Sequence, residues 1–373
     1  MKKIKILSII GTRPEVIKMA PVVKELDKRR HRFHPMVVIT GQHREMCEPY
    51  LELFNIVPDW DLAIMQKDQT LNSIIGNILA TLPRVLAEVK PDVVLVQGDT
   101  SSAFAAALAA FHQMIKVGHV EAGLRTKNKY NPFPEEMNRA LIGRIADFHF
   151  APTATARENL SREGIAPEHI YVTGNTSIDA LKMTLAASRG QSIPALDGIN
   201  LREGRIIAVT THRRESFGEP LANTLYALRE IVARYPDVHI VLPVHYNPNV
   251  RTQVYKALDG VDRIQLIEPL EYRSFISLLD RSYLVLTDSG GIQEEAPSLG
   301  KPVLVLRETT ERPEGIDAGT ARLVGTNVES IVAAVSGLLD DEHAYRAMAC
   351  AVNPYGDGTA AVKIVDALEA VLF

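Results

Sequence analysis

Residues 3–26, KIKILSIIGTRPEVIKMAPVVKEL, contain an apolar run, a short polar turn and a helical pattern in direct succession. The run Ile4–Ile10 is mostly apolar and does not alternate with polar residues, as is typical of a strand that is covered on both faces. In the stretch that follows, Val16, Met19 and Val23 recur at the spacing of one helix face. These residues therefore predict a buried strand that leads directly into an amphipathic helix.

Similar apolar runs recur along the rest of the chain, and stretches with helical spacing separate them. Alternation of buried strands with helices is typical of a parallel, doubly wound sheet. We therefore expect an α/β protein with two Rossmann-like doubly wound domains around a central cleft. The predicted strands are 3–10, 34–40, 92–97, 115–120, 147–151, 170–173, 205–211, 239–244, 263–268, 283–287 and 302–306.

One stretch that contains Gly, Pro and Ser, residues 186–204, interrupts this alternation. We interpret it as the linker between an N-terminal Rossmann-like domain, 1–185, and a C-terminal Rossmann-like domain, 205–355. Ligands of such folds bind beyond the carboxyl ends of the strands and often between domains. The expected ligand site is therefore the cleft between the two domains.

The composition is that of an ordinary globular protein and excludes several classes. The chain has 373 residues, of which 46% are hydrophobic and 23% charged, so disorder and collagen-like structure are not expected. Its formal net charge is −4, so no overall basic field exists for nucleic acid or for an anionic membrane surface. An anionic ligand must therefore be bound by local groups.

The cysteines and the apolar runs bear on redox chemistry and location. Cys47 and Cys350 are far apart and show no CxxC spacing, so neither a disulfide framework nor a zinc site is expected. No apolar run reaches the length of a membrane span, and Ile4–Ile10 is too short for a signal peptide. The expected location is the cytoplasm.

Cationic residues and glycines follow several predicted strands, where an anion could bind. DSGG at 288–291 precedes a predicted helix, and its glycines allow backbone N–H groups to approach a phosphate closely. Arg13 and Lys18 flank the first strand–helix turn, and HRR at 212–214 follows the first strand of the second domain. Neither GxGxxG nor a Walker motif occurs, which argues against a dinucleotide cofactor and ATP hydrolysis. The alternative is that DSGG is only a tight turn.

Carboxylates also gather after the predicted strands. Asp99 and Glu121 follow neighbouring strands and are expected at the same sheet edge, and Glu135 and Glu136 lie in PFPEEMNR. Such a group suits acid–base chemistry. For Glu135 and Glu136 the alternative is a role as helix N-terminal acids, which the helix dipole favours. A metal site at His119 and Glu121 is weakly supported, and no GxSxG motif indicates a serine nucleophile.

Taken together, these motifs closely resemble those of the non-hydrolysing UDP-N-acetylglucosamine 2-epimerases. The resemblance covers essentially the whole chain and implies a glycosyltransferase-B type fold, a homodimer, and a C-terminal helix, about 356–373, that packs on the first domain. The motifs that carry it include GTRPEVIKMAP, GQHREM, QGDTSS, HVEAGLRT, PFPEEMNR, TGNTSID, THRRES, EPLEY, DSGGIQEEAPSLGKPVLVLRETTERPE and NPYGDG.

The resemblance implies an isomerase that interconverts UDP-GlcNAc and UDP-ManNAc without a cofactor or a metal. The family eliminates UDP to leave 2-acetamidoglucal and then adds UDP back, and its product supplies cell-surface polysaccharide synthesis. By this resemblance Asp99, Glu121 and Glu135 are the acid–base carboxylates, and His212 supports the leaving diphosphate. The substrate-binding residues that it implies are Arg13, Lys18, Asp99, Glu121, His212, Leu270, Phe275, Ser289, Gly290, Gly291, Glu295 and Arg312.

Many bacterial members of that family also bind a second UDP-GlcNAc as an activator. The motifs concerned place this possible allosteric site at Gln42, His43, Arg213 and His245. Glu45 and Asp68 stand where some regulated relatives have Gln and Arg, which adds negative charge beside the expected diphosphate. Four other functions remain open: an epimerase of a UDP-diacetamido sugar, a hydrolysing epimerase, a glycosyltransferase and a non-catalytic nucleotide-sugar sensor.

Overall fold

The computed structural model of the chain describes residues 3–42, 44–66, 69–188, 193–197, 204–211, 213 and 217–373. The chain forms two compact units. The first comprises Met1–Met183 together with Tyr355–Phe373, and the second comprises Thr184–Pro354.

The first unit is built on a parallel sheet of seven strands within the described residues. Its order is β3-β2-β1-β4-β5-β6-β7, and each neighbouring pair is parallel. The central strands are buried on both faces, as their continuous apolar runs predict. The strands are β1 (Ile4–Ile10), β2 (Phe33–Ile39), β3 (Trp60–Asp61), β4 (Val93–Gln97), β5 (Lys116–Val120), β6 (Phe148–Ala151) and β7 (Ile170–Val172).

Amphipathic helices cover this sheet. On the third helix Ile78, Leu82 and Leu86 lie on one face at a spacing of four residues, and all three are buried in the main core of the unit. The helices are α1 (Arg13–Lys28), α2 (Arg44–Leu53), α3 (Leu71–Val89), α4 (Ser101–His112), α5 (Glu135–Ile145), α6 (Ala154–Arg162), α7 (Thr176–Ser188) and, at the C-terminus, α15 (Ala360–Leu372).

The second unit repeats this architecture with a six-stranded parallel sheet of order β10-β9-β8-β11-β12-β13 among the described residues. Its strands are β8 (Arg205–Thr210), β9 (Val238–Pro243), β10 (Ile264–Ile267), β11 (Leu284–Thr287), β12 (Val303–Val305) and β13 (Ala321–Leu323). Its helices are α8 (Glu219–Arg234), α9 (Pro248–Leu258), α10 (Tyr272–Arg281), α11 (Gly290–Glu295), α12 (Pro313–Asp317), α13 (Val328–Asp340) and α14 (Glu342–Ala349).

The prediction of two doubly wound parallel α/β units is confirmed, and the eleven predicted strands all occur. Two observed strands were not predicted, β3 and β13. Both are edge strands of two or three residues, with the sequences WD and ARL, and lack the apolar run that marks a buried strand. They form because a neighbouring strand offers unpaired backbone groups.

The region that the sequence predicts as a linker is helical at its start, since α7 continues to Ser188. Pro194–Leu196 forms one turn of 3₁₀ helix. The stretches 189–192 and 198–203 lie outside the described residues.

The C-terminal helix α15 packs on α1 of the first unit. Arg29, the C-cap residue of α1, forms ion pairs with Asp366 at 2.5 Å and with Glu369 at 3.0 Å. Thr359, which precedes α15, makes no side-chain capping bond. Instead, Asp179 on α7 accepts hydrogen bonds from the backbone N–H groups of the first two residues of α15, at 3.1 and 2.9 Å. A buried carboxyl from another helix therefore caps α15.

We expect Asp179→Ala to lower the free energy of unfolding by about 1–2 kcal/mol, because two buried N–H groups at the start of α15 lose their acceptor. Urea denaturation followed by circular dichroism measures this change. Lys363→Ala on the exposed face of the same helix is the matched control, and its effect should stay within about 0.5 kcal/mol. Equal effects of the two substitutions would contradict the capping role.

Candidate active site

Asp99 and Glu121 lie at the carboxyl ends of the adjacent strands β4 and β5. Gln97 pairs with Val120 in the parallel register, and the backbone N–H of Gly98 donates to the carbonyl of Val120 at 2.9 Å. Both strands therefore end at the same sheet edge, as the sequence predicts.

Glu121 is buried and held in an unusual backbone conformation. Its φ is +64°, in the left-handed region that a residue other than glycine rarely adopts. The side chain is 7% exposed, forms an ion pair with Lys18 of α1 and accepts a hydrogen bond from the side-chain amide of Gln97 at 3.0 Å. A strained, buried carboxylate with two partners is typical of a functional site, because the surrounding structure must offset its cost.

Asp99 is positioned by two residues of α5. The guanidinium of Arg139 lies 2.5 Å from Oδ2 of Asp99, and the side-chain amide of Asn138 donates to the Asp99 backbone carbonyl at 2.8 Å. Arg139 is buried and also pairs with Glu136 at 3.2 Å. The helix that begins in PFPEEMNR therefore holds the turn after β4.

Glu135 and Glu136 are adjacent in sequence but differ in environment. Glu136 is buried, and its Oε1 accepts hydrogen bonds from the backbone N–H groups of Thr126 and Lys127, each at 3.0 Å. Oε2 of Glu135 is also buried, and no group in the described part of the chain donates a hydrogen bond to it. Glu136 thus anchors the loop after Glu121, whereas Glu135 has an oxygen available for a ligand.

Arg13 and Gln42 lie where the chain leaves β1 and β2, respectively. Arg13 begins α1, is exposed, and has its guanidinium 5.8 Å from the ring centre of Tyr50. Gln42 accepts a hydrogen bond from the Ser102 hydroxyl at 2.6 Å, which connects the turn after β2 to α4. His43 lies outside the described residues.

In the second unit, the DSGG motif places Ser289, Gly290 and Gly291 at the start of α11. A Cβ atom at Gly290 would lie 3.6 Å from Nη2 of Arg213 and 4.0 Å from Cζ of Arg312. Two guanidinium groups therefore lie near a glycine in the first turn of a helix. Such an arrangement suits a phosphate group.

Acidic side chains orient both of these arginines. Nε of Arg312 donates to the carboxylate of Glu294, which is buried. The backbone N–H of Arg213 donates to Asp288 at 2.9 Å, and its guanidinium pairs with Glu311 at 3.2 Å. Burial would raise the pKa of Glu311, but the hydrogen bond from Arg307 and nearby charge lower it to about 2. The acid therefore stays ionised at neutral pH.

The residues expected at the nucleoside lie on neighbouring elements of the same unit. Phe275 is half-buried on α10, and Leu270 is half-buried just before that helix. The Tyr272 hydroxyl lies 3.5 Å from Oε1 of Glu295 on α11. His245 follows β9, is exposed, and accepts a hydrogen bond from the Asn247 N–H at 3.1 Å. The remaining predicted residue, His212, lies outside the described residues.

The structure adds residues that the sequence did not single out. Gln97, Asn138 and Arg139 contact the predicted carboxylates, and Glu294 and Asp288 orient the predicted arginines. All five lie inside the motifs that carried the resemblance, and this position in the sequence could have marked them as candidate site residues. Their contacts could not be predicted from the sequence, because most of the partners are distant in sequence.

Two kinds of feature are absent from the described part of the chain. No cluster of three or more His, Cys, Asp or Glu side chains there could hold a metal ion. No helix there is long and apolar enough to cross a lipid bilayer.

Two parallel, doubly wound sheets with polar clusters at their strand ends define a glycosyltransferase-B type fold. The glycosyltransferase of kitacinnamycin has the same fold, with a TM-score of 0.62 over 99% of this chain and 100% of that one. The two are 13% identical, so this likeness concerns the fold alone. The family profile described as UDP-N-acetylglucosamine 2-epimerase matches residues 24–369. The chain belongs to the UDP-N-acetylglucosamine 2-epimerase family, whose members are isomerases, and the resemblance stated from the motifs is confirmed.

Individual relatives are similar over nearly their whole length. A UDP-N-acetylglucosamine 2-epimerase from Bacillus subtilis (strain 168) is 52% identical over 368 residues, which is 99% of this chain and 96% of that protein. One from Salmonella typhimurium is 54% identical over 374 residues, 98% of each chain. The crystal structure of UDP-GlcNAc 2-epimerase from Neisseria meningitidis bound to UDP-GlcNAc is 47% identical, with a TM-score of 0.89 over 98% of this chain and 100% of that one.

Proposed function

We propose that the protein interconverts UDP-GlcNAc and UDP-ManNAc by eliminating UDP and adding it back. The observation that carries this proposal is the pair of carboxylates at one sheet edge, Asp99 and Glu121, each held by a cation from another element. Family membership and the Neisseria meningitidis relative's complex with UDP-GlcNAc support the choice of sugar.

The chemistry requires such a group of carboxylates. The hydrogen on carbon 2 is not adjacent to a carbonyl carbon, so its removal becomes feasible only when UDP leaves carbon 1. A carboxylate accepts that proton, the C1–O bond breaks, and a C1=C2 double bond forms, giving 2-acetamidoglucal. In the return step a carboxylic acid delivers a proton to the other face of carbon 2 while the diphosphate oxygen bonds to carbon 1. Two faces require two acid–base groups, which we assign among Asp99, Glu121 and Glu135.

The departing diphosphate needs cationic and N–H donors in place before it leaves. We assign this role to Arg312, Gly290 and Gly291, together with Ser289 and His212. The two guanidinium groups near Gly290 are held by acids on the protein, so little reorganisation accompanies the charge that develops. For the rest of UDP we propose that Glu295 accepts from the ribose, that Phe275 flanks the uracil, and that Leu270 contributes its backbone. Arg13 and Lys18 complete the anion site.

The finer biological statements are also proposals. We propose a homodimer whose UDP-ManNAc supplies cell-surface polysaccharide synthesis. A second UDP-GlcNAc as activator would use Gln42, His43, Arg213 and His245. The position of Arg213 near Gly290 supports a place for such a molecule next to the diphosphate. A hyperbolic dependence of rate on UDP-GlcNAc concentration would count against activation.

The proposed reaction is tested by incubating the protein with UDP-GlcNAc in heavy water and following the sugar by NMR. We expect deuterium at carbon 2 of both epimers, UDP-ManNAc as product, little free ManNAc, and no loss of rate with a chelator. A glycosyltransferase or a sensor would not exchange this hydrogen, and a hydrolysing epimerase would release ManNAc. A preference for a UDP-diacetamido sugar in the same assay would reassign the substrate, and no exchange would refute the mechanism.

A further inference from the structure

Glu15 is a buried carboxyl in the first turn of α1 that the proposed reaction does not use. Its side chain is 1% exposed. Oε2 accepts a hydrogen bond from the backbone N–H of Gly11 at 2.9 Å, and Oε1 accepts one from the hydroxyl of Thr100 at 2.7 Å. A carboxyl so fully removed from water is costly, so its retention calls for an explanation.

The two partners of Glu15 belong to two different turns of the site. Gly11 directly follows β1 and opens the short turn into α1, the helix of Arg13 and Lys18. Thr100 directly follows Asp99 and caps α4, since its Oγ1 accepts a hydrogen bond from the Ala103 N–H at 2.9 Å. Because Oγ1 is already an acceptor there, its own hydrogen is available to donate to Glu15. Glu15 thus connects the proposed anion-binding turn with the turn of Asp99.

The turn after β1 also packs directly against the start of α4. A Cβ atom at Gly11 would lie 2.5 Å from both Cβ and Oγ of Ser102 on α4, and 3.1 Å from Oε2 of Glu15. Only glycine fits at position 11, so the backbone N–H approaches the carboxylate directly. A shift of Glu15 would therefore move the turn that carries Asp99.

The groups around Glu15 allow it to titrate in the neutral range. Burial raises the pKa of Glu15 to about 7, although hydrogen bonds from the Thr100 hydroxyl and the Gly11 N–H oppose this rise. Cys47 faces it from α2, and burial and the Glu15 charge raise the pKa of that thiol to about 11, so the thiol stays neutral. The other charged groups of these turns are Arg13 on α1 and Asp99 after β4.

We propose that Glu15 is a positioning residue whose carboxylate holds the Asp99 turn in its reactive place through Thr100. The inference rests on the proposed function, since it takes Asp99 as an acid–base group. When Glu15 is protonated, one oxygen carries a hydrogen and the carboxyl loses its charge, so the bonds that it accepts from Gly11 and Thr100 weaken. Turnover is therefore expected to fall on the acid side with an inflection near pH 7, where Glu15 titrates.

The test compares Glu15→Gln with wild type in kcat, KM and UDP affinity from about pH 5.5 to 9. We expect kcat to fall about tenfold or more, with KM and UDP affinity changed by less than about twofold, and no inflection near pH 7. Glu25→Gln on the same helix is the matched control and should keep the wild-type profile. An active wild type with an unchanged Glu15→Gln profile would overturn this inference, whereas a wild type without carbon-2 exchange would overturn the proposed function.

The stability of Glu15→Gln distinguishes a positioning role of Glu15 from a merely structural one. The raised folded-state pKa means that wild type loses stability as pH rises from about 4.5 to 7, because the folded state then holds a proton more tightly than the unfolded state. Gln carries no such charge, so we expect Glu15→Gln to be at least as stable as wild type at about pH 8 while it turns over more slowly. A variant that melts lower at this pH and keeps wild-type kcat would show a structural role.

Thr100→Val provides a second route that keeps Glu15 in place. The Thr100 hydrogen bond lowers the pKa of Glu15, so its loss should move the acid limb of the kcat profile to higher pH. Thr100→Ser keeps the hydroxyl and should restore the wild-type limb. An acid limb that stays in place in Thr100→Val would overturn the inference even if Glu15→Gln fails to fold.

Discussion

Replacing Glu121 by Gln is expected to lower kcat by about 10²- to 10⁴-fold, which is the usual contribution of a placed acid or base. Gln is nearly isosteric and can still accept the hydrogen bond from Gln97, so the buried site should keep its shape. It cannot take up a proton from carbon 2. We therefore expect deuterium exchange at carbon 2 to fall in parallel with epimerisation, as measured by NMR in heavy water.

The same variant should bind UDP about as well as wild type or somewhat more tightly, because Lys18, which we propose as a ligand of the anion, loses an anionic partner. Isothermal titration calorimetry with UDP measures this affinity. Glu158→Gln on the surface of α6 is the control and should leave both turnover and affinity unchanged. Turnover equal to that of wild type in Glu121→Gln would remove Glu121 from the catalytic group.

Arg139→Met is expected to reduce both stability and activity. The substitution leaves Glu136 buried without its guanidinium partner, and breaking a buried pair in this way costs about 3–5 kcal/mol. It also removes the group that holds the carboxylate of Asp99, and a misplacement of about 1 Å can cost 10²-fold in rate. Urea denaturation and kcat measured on the folded fraction separate the two effects.

Two further variants make the Arg139 experiment specific. Arg144→Met removes a charge on the exposed side of the same helix, and the stability of this variant should change by less than about 0.5 kcal/mol. Arg139→Lys keeps the charge but not the planar fork that contacts Asp99 and Glu136 together, so it should recover stability more than rate. A folded Arg139→Met with normal kcat would show that Asp99 needs no such support.

The strands that could be predicted were the buried ones, because they consist of consecutive apolar residues. In Val93–Gln97 and Leu284–Thr287 every residue but the last is apolar, because both faces of a central parallel strand are covered by helices. Trp60–Asp61 and Ala321–Leu323 could not be predicted, since their pairing depends on backbone groups offered by a neighbouring strand. Their side chains leave no periodic signal.

The candidate site also contains residues that the sequence predicted and residues whose environment it did not predict. Asp99 and Glu121 were predictable because parallel neighbouring strands end at one edge of the sheet. The family resemblance named Glu135, but residue type and position alone did not distinguish it from Glu136, because two identical side chains at one helix start experience the same dipole. In the folded chain the Thr126 N–H donates to Glu136, which anchors the loop. Oε2 of Glu135 accepts no hydrogen bond from the described residues.

The sequence by itself determined the family, the α/β class and the set of acidic and cationic residues, because these depend on residue types and on spacings within short motifs. The tertiary structure alone decided the pairings: Glu121 with Lys18, Asp99 with Arg139, and Glu15 with Thr100. The physical reason is that hydrogen bonds and ion pairs are short-ranged, while the partners lie on different strands and helices. Their contact exists only after the sheet has brought separate strand–helix turns to one edge.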